Sequence, residues 1–175
     1  MVLKQISPEV FSADAPIVRV SRKEIEFLKE RNKGTSRGRI RLCAHPNNDD
    51  PLHEMFIVLA KETYIRPHKH LAKSESFHVL EGIADVVLFD DSGNLIEIIE
   101  MGDFASGHNF FYRLSKPFFH TLIIRSSSLV LHETTNGPFD RGSAQFATWS
   151  PDESDPLMVR DFMSTLATRV QAFSK

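Results

Sequence analysis

The sequence predicts an all-β fold, a sandwich or barrel, with a short helix ahead of it and an amphipathic helix behind it. Two observations carry this prediction. Between about residues 36 and 148, short β-type segments recur at roughly 8–12-residue spacing, with turn residues and no helical pattern between them. The stretches on either side switch to helical periodicity. Strands that follow one another without helices exclude a parallel α/β sheet, which needs crossovers. The chain has 175 residues, which suits one domain over 1–175 with one core, because division into several domains usually begins at greater length.

Taken in order, the first element is a helix over 21–34. Ser21 and Glu24 have capping-box spacing, Ile25 and Leu28 share a face, and Gly34 supplies the stop. Arg39 to His45 alternates, placing Ile40, Leu42 and Ala44 on one face and Arg39, Arg41, Cys43 and His45 on the other. HPNNDDP at 45–51 is turn material. Strands are then expected at 54–60, 75–81, 83–90, 95–100, 108–114, 119–125 and 128–134. The run Asp90 to Asn94, between VVLF and LIEII, marks the clearest hairpin. After Trp149-Ser150-Pro151 an acidic loop leads into a helix over 156–173, with Leu157, Phe162, Met163, Leu166 and Val170 mostly at helical spacing. This helix is expected to pack on its own barrel.

Charge and cysteine content narrow the function. Lys and Arg number 21 and Asp and Glu 23, a net charge of −2, so a nucleic-acid backbone is not the expected partner. No run approaches the ~18 apolar residues of a membrane span, and the start MVLKQISPEV lacks the apolar core of a signal peptide. A cytoplasmic protein is expected. Cys43 is the single cysteine and has no partner for a disulfide or a thiolate zinc site. Any metal must therefore use histidine and carboxylate.

Such a set is present. His68 and His70 are two apart in an extended segment, so both side chains lie on one face. A turn at 71–74 lets Glu75 open the next strand, on the face of Phe77 and Val79, and His120 shares a face with Leu122 and Ile124. All four belong to the inward set of their strands, the placement that a site inside a small barrel requires. Neutral imidazoles and a carboxylate suit a divalent transition metal, zinc, nickel, iron, manganese or copper, with remaining positions for water or substrate.

At these residues the chain resembles the cupin superfamily. The first cupin motif, G-x5-H-x-H-x3,4-E-x6-G, is met by His68, His70, Glu75 and Gly82, with Glu62 in place of the leading glycine. The second, G-x5-P-x-G-x2-H-x3-N, is met by Gly102 and His120 at wider spacing, with Ile124 in place of the asparagine. A longer series is similar to the WbuC family of cupin-fold metalloproteins: Arg39-x-Arg41-Leu42-Cys43-Ala44-His45, Pro67-His68-x-His70 with Lys73-Ser74-Glu75-Ser76, Phe89-Asp90-Asp91-x-Gly93, Phe111-Tyr112-Arg113-Leu114, and His132-Glu133-Thr134-Thr135-Asn136-Gly137-Pro138-Phe139. The resemblance covers about 20–150. It implies a cupin-type jelly roll, a bound metal, association with O-antigen or capsular polysaccharide biosynthesis, and a homodimer, since cupins are commonly dimers. It does not imply a particular reaction.

Around the metal set, Arg39, Arg41, His45 and Arg113 are candidates to hold a phosphate or carboxylate of a small polar substrate, such as a sugar or nucleotide-sugar. Glu133 is the one further carboxylate placed for general acid–base work. Tyr112 and His78 fall on the opposite parity from Arg113 and Glu75 and are expected to point outward. Three functions are compatible with this set. A metal-dependent isomerase, epimerase or hydrolase leads, followed by a non-catalytic sugar-binding or regulatory module with a structural metal, and then by an iron oxygenase.

Overall fold

The computed structural model describes residues 1–173. The chain opens with two short strands, β1 (Val2–Ser7) and β2 (Val10–Asp14), then helix α1 (Arg22–Asn32). Strands β3 (Arg39–Cys43), β4 (Leu52–Ala60), β5 (His68–His70), β6 (Glu75–Glu81), β7 (Ile83–Phe89) and β8 (Leu95–Gly102) follow. After a short 3₁₀ turn at Phe104–Ser106 come β9 (Phe111–Leu114), β10 (Phe119–Ile124), β11 (Ser128–Asn136) and β12 (Ala144–Phe146), and the last element is α2 (Pro156–Phe173). A seven-stranded sheet in the order β1-β2-β3-β4-β11-β6-β9 faces a five-stranded sheet in the order β12-β5-β10-β7-β8.

Three apolar layers hold this arrangement. Between the sheets, Leu59, Phe77, Val86, Leu88, Leu122 and Leu131 form the interior core. On the outer face of the larger sheet, Ile25 and Leu28 of α1 pack on Ile40, Leu42, Val58 and Val130. On the outer face of the smaller sheet, Leu166 and Val170 of α2 pack on Val87, Phe89 and Phe119. α2 thus covers its own sheet, as expected. β7 is covered on both faces, which is why Ala84 to Phe89 are all buried and the sequence there loses its alternation.

Local chemistry sets the ends of these elements. The Ser21 side chain and the Glu24 carboxylate cap α1 reciprocally, the Ser21 backbone N–H donating to Glu24 Oε2 at 2.8 Å. The Asp90 carboxylate accepts from the backbone N–H of Ser92 and Asn94 and closes the β7–β8 hairpin. Between β6 and β7, Gly82 has φ of +95°, and a Cβ there would stand 2.4 Å from the Ser128 carbonyl oxygen. Only glycine fits that turn.

The structure departs from the sequence expectations in three places. The β1–β2 hairpin and β12 add strands where none were expected. The strand expected over 108–114 is confined to Phe111–Leu114, because a 3₁₀ turn capped by Asp103 occupies the preceding chain. In that strand the faces are also reversed. β9 aligns Leu114 with Glu75 and Tyr112 with Phe77, so Tyr112 points inward and is 6% exposed, whereas Arg113 shares the outward face of Ser76. His78 is exposed, as expected. No helix among the described residues is long and apolar enough to cross a membrane.

Candidate metal centre

The centre lies between the sheets, at the end where the interior turns polar. His68 and His120 are direct partners across β5 and β10, and their rings lie 4.5 Å apart. His70 stands on the same face of β5, and Glu75 opens β6 on the opposing sheet. One ligand atom from each of His68, His70, Glu75 and His120 falls within 4.8 Å of the other three. Glu75 Oε1 is 2.8 Å from His120 Nε2, and Glu75 Oε2 is 3.2 Å from His70 Nε2.

Two of the imidazoles are oriented from behind by their own strands. His68 Nδ1 meets the Arg66 carbonyl at 2.9 Å, and His120 Nδ1 meets the Phe118 carbonyl at 3.1 Å. A carbonyl can only accept, so each Nδ1 carries a proton and each Nε2 is turned toward the centre. That backing is the usual way in which protein fixes the tautomer of a metal-binding histidine.

The electrostatics of the cluster follow from burial. Glu75 and His120 are 5% and 3% exposed. Burial alone would raise the Glu75 carboxyl, but the His120 imidazole and the hydrogen bonds of His120 and His70 hold it well below the usual carboxylate range. Burial would likewise lower His120, and the Glu75 charge overrides it and raises the imidazole. His68 is pushed down to about 4 by burial, with His120 adding to the effect. Glu75 Oε1, His120 Nε2 and His70 Nδ1 are buried without a well-formed hydrogen bond. Buried atoms of this kind are normally satisfied, and a divalent cation at the centre of the cluster would satisfy the first two. The residues fit such an ion.

A cavity of about 770 Å³ opens beside the cluster. The other residues singled out from sequence fall around it unequally. Arg39, Arg41, Cys43 and His45 line it from β3 and its extension. Arg41 has no hydrogen bond or ion pair from its side chain among the described residues. Arg39 is already engaged, its guanidinium meeting Glu153 at 3.0 and 3.1 Å. His45 is buried and stacked on His53, with ring centroids 4.0 Å apart and planes within 3°, and burial lowers its pKa. Burial likewise pushes the Cys43 thiol up, which does not favour the thiolate. Arg113, on the outward face of β9, lies away from the cavity, and the expectation that it faces the site is corrected by the β6–β9 register.

Glu133 is on the cavity wall in β11, one inward position deeper than Thr135, the residue that aligns with Glu75. Burial and the nearby Glu75 charge push its carboxyl up to about 8. It has no hydrogen-bond or ion-pair partner among the described residues. The structure adds wall residues that the sequence reading passed over. Arg66 precedes His68 by two, so the parity that singled out His68 and His70 also pointed to Arg66. His53 precedes Met55 and Ile57 on the inward face of β4 and carried the same signal.

Residues 20–101 match a family described as a domain of unknown function, DUF6016. No curated protein matches the chain in sequence. Among solved structures the chain is similar to protein SO0799 from Shewanella oneidensis, with a TM-score of 0.54 and 11% identity over 74% of this chain and 85% of that one. It is also similar to oxalate oxidase in complex with the substrate analogue glycolate, with a TM-score of 0.51 and 14% identity over 70% of this chain and 62% of that one. At these identities the likeness shows the fold alone, and that fold is the cupin-type jelly roll.

Proposed function

We propose that this protein is a metal-dependent enzyme acting on a small polar substrate, a sugar or nucleotide-sugar, by an isomerase, epimerase or hydrolase type of reaction. The observation that carries the reading is the pairing of a three-histidine, one-carboxylate cluster with a cavity whose wall also holds a guanidinium, Arg41, and a carboxyl, Glu133, neither with a side-chain hydrogen bond or ion pair among the described residues. A purely structural metal needs no such cavity. The WbuC resemblance of the sequence supports a place in surface-polysaccharide synthesis and a homodimer.

His68, His70, Glu75 and His120 would hold the ion, whose chemistry is to polarise a bound carbonyl or hydroxyl or to activate water. Arg41 binds and orients the substrate through a carboxylate or phosphate oxygen. Glu133, on the cavity wall beside the cluster, is the carboxyl placed to pass a proton to a developing oxyanion or leaving group and to recover it afterwards. Phe77 and Leu131 belong to the apolar core and also line the cavity, closing its inner side with hydrocarbon.

Elemental analysis of protein purified without a metal-binding tag tests the centre: near-stoichiometric metal in wild type, lost in His70→Ala and in His120→Ala. Solvent deuterium incorporation into a panel of nucleotide-sugars, followed by NMR, with product formation scored in the same spectra, tests the reaction. Glu133→Gln should retain metal and lose at least about 100-fold in turnover, the usual scale for a general acid. Metal-free wild type that rejects added metal would overturn the reading. So would metal-loaded protein that binds a sugar without turning it over, which would make it a non-catalytic module.

A further inference from the structure

The end of the cavity away from the β6 wall is lined by arginines from both sheets. Arg39 and Arg41 project into it from β3, Arg37 from the segment just before, and Arg66 from the opposing wall. Most of these charges are matched by two adjacent acidic residues of one loop. Glu153 takes Arg39 at 3.0 Å and Arg37 at 3.3 Å, and Asp152 takes Arg66 at 2.6 Å. Asp152 and Glu153 therefore tie the two sheets together across the cavity end. Glu9, from the β1–β2 turn, adds a second carboxylate to Arg37. Among the described residues four guanidinium groups thus meet three carboxylates, and Arg41 is the one without an ion pair.

We infer that Arg37, Arg39, Arg41 and Arg66 form a binding subsite for a phosphoanion, a diphosphate group carried by the substrate, and that Asp152 and Glu153 occupy it as displaceable carboxylates. The choice of a diphosphate rests on the nucleotide-sugar reading above. The geometry supports it independently of the metal. Arg39 and Arg41 are two apart on one strand, so their stems leave the backbone about 7 Å apart, a spacing that two linked phosphates bridge. Guanidinium forks bind phosphate oxygens bidentately and without titrating. The Arg66–Asp152 pair is cheap to open, because the Asp152 side chain is 63% exposed and exposed pairs contribute little, whereas the two-pronged, half-buried Arg39–Glu153 pair yields only to a ligand that offers the guanidinium an equivalent fork. Arg66 is also held short of its full bonding capacity, its buried Nε having no partner.

Inorganic pyrophosphate is the probe, measured by calorimetry with the full-length protein, once with its metal and once after chelation and exhaustive dialysis. Saturable binding that survives metal removal is expected. Arg39→Gln combined with Arg66→Gln should weaken it at least tenfold while metal content stays at the wild-type level, and Asp152→Asn combined with Glu153→Gln should strengthen it several-fold. Arg39→Lys, which keeps the charge and loses the fork, should fall between wild type and the double glutamine variant. Circular dichroism establishes that each variant is folded. Binding that disappears with the metal and ignores the arginine substitutions would place pyrophosphate on the ion and overturn the subsite. No binding in either wild type or the Asp152→Asn, Glu153→Gln protein would reduce the arginine cluster to a structural latch. Retained pyrophosphate binding in a protein that never takes up metal would leave the subsite standing and remove the enzyme reading.

Discussion

The two ends of the space between the sheets are built on the same strands and filled in opposite ways. On β11, Leu129 and Leu131 face an apolar interior, and two and four residues further along the same face Glu133 and Thr135 line the polar cavity. On β6 the change runs the other way, from Glu75 to Phe77 and Val79. The strands gain nothing in hydrogen bonding from this division, since their ladders continue through both ends. What differs is the source of free energy. The apolar end stabilises by burial and close packing, while the polar end costs desolvation that only its own partners and ligands return. The comparison teaches that the packed end holds rigid a site that could not hold itself.

The largest test of that division is Leu131→Ala. Leu131 is 2% exposed in the interior core, so its truncation should cost about 2–5 kcal/mol in urea unfolding, with metal stoichiometry retained in the surviving folded protein. Unchanged unfolding stability in this variant would show that Leu131 is not part of the packing that holds the site.

A smaller effect follows from the polar end, read in metal-free protein. His68 is lowered to about 4, so between its unfolded value and about 4 the unfolded state binds the proton that the folded state refuses, and stability falls as pH drops. Glu75, also lowered, adds to the loss at the acid end. Glu133 is raised to about 8, so its contribution is present below its unfolded value and fades as pH climbs toward 8. His120, raised by the Glu75 charge, loses its contribution on the same side, so metal-free wild type should be most stable between these limbs, and Glu133→Gln should shrink the alkaline one without abolishing it. An unchanged alkaline limb in that variant would assign it to another group.

The smallest effect is expected for Arg113→Ala. On the outward face of β9, this substitution should stay within about 0.5 kcal/mol of wild type, as is usual for surface changes. It should leave metal content and turnover unaltered. A large loss of activity would mean that the site extends around the sheet edge.

Much of this arrangement was legible in the sequence because its signals are local. The His68, His70 and Glu75 set rests on two-residue parity and a four-residue turn, and the α1 cap on Ser21 and Glu24. Arg113 was misplaced because face assignment in β9 depends on its register against β6, which a strand of four residues with three apolar side chains does not declare. The β1–β2 hairpin escaped notice for a related reason: only Phe11 and Ala13 of β2 are buried, and the β1 side is largely exposed. The arginine end was hidden by distance. Arg39 and Glu153 are 114 residues apart, and Arg37 and Glu9 28 apart, separations that no local pattern reports.

The two imidazoles braced by carbonyls from their own strands carry a consequence for biogenesis. Each brace spans only two residues, yet the cluster needs His68 and His120, 52 positions apart in a chain of 175, side by side. A nascent chain that has not yet closed β5 against β10 offers a metal only the local set of His68, His70 and Glu75, without the fourth ligand. The complete four-residue set therefore exists only once β5 and β10 have paired, so any ion that needs all four ligands enters a chain whose sheets have already closed.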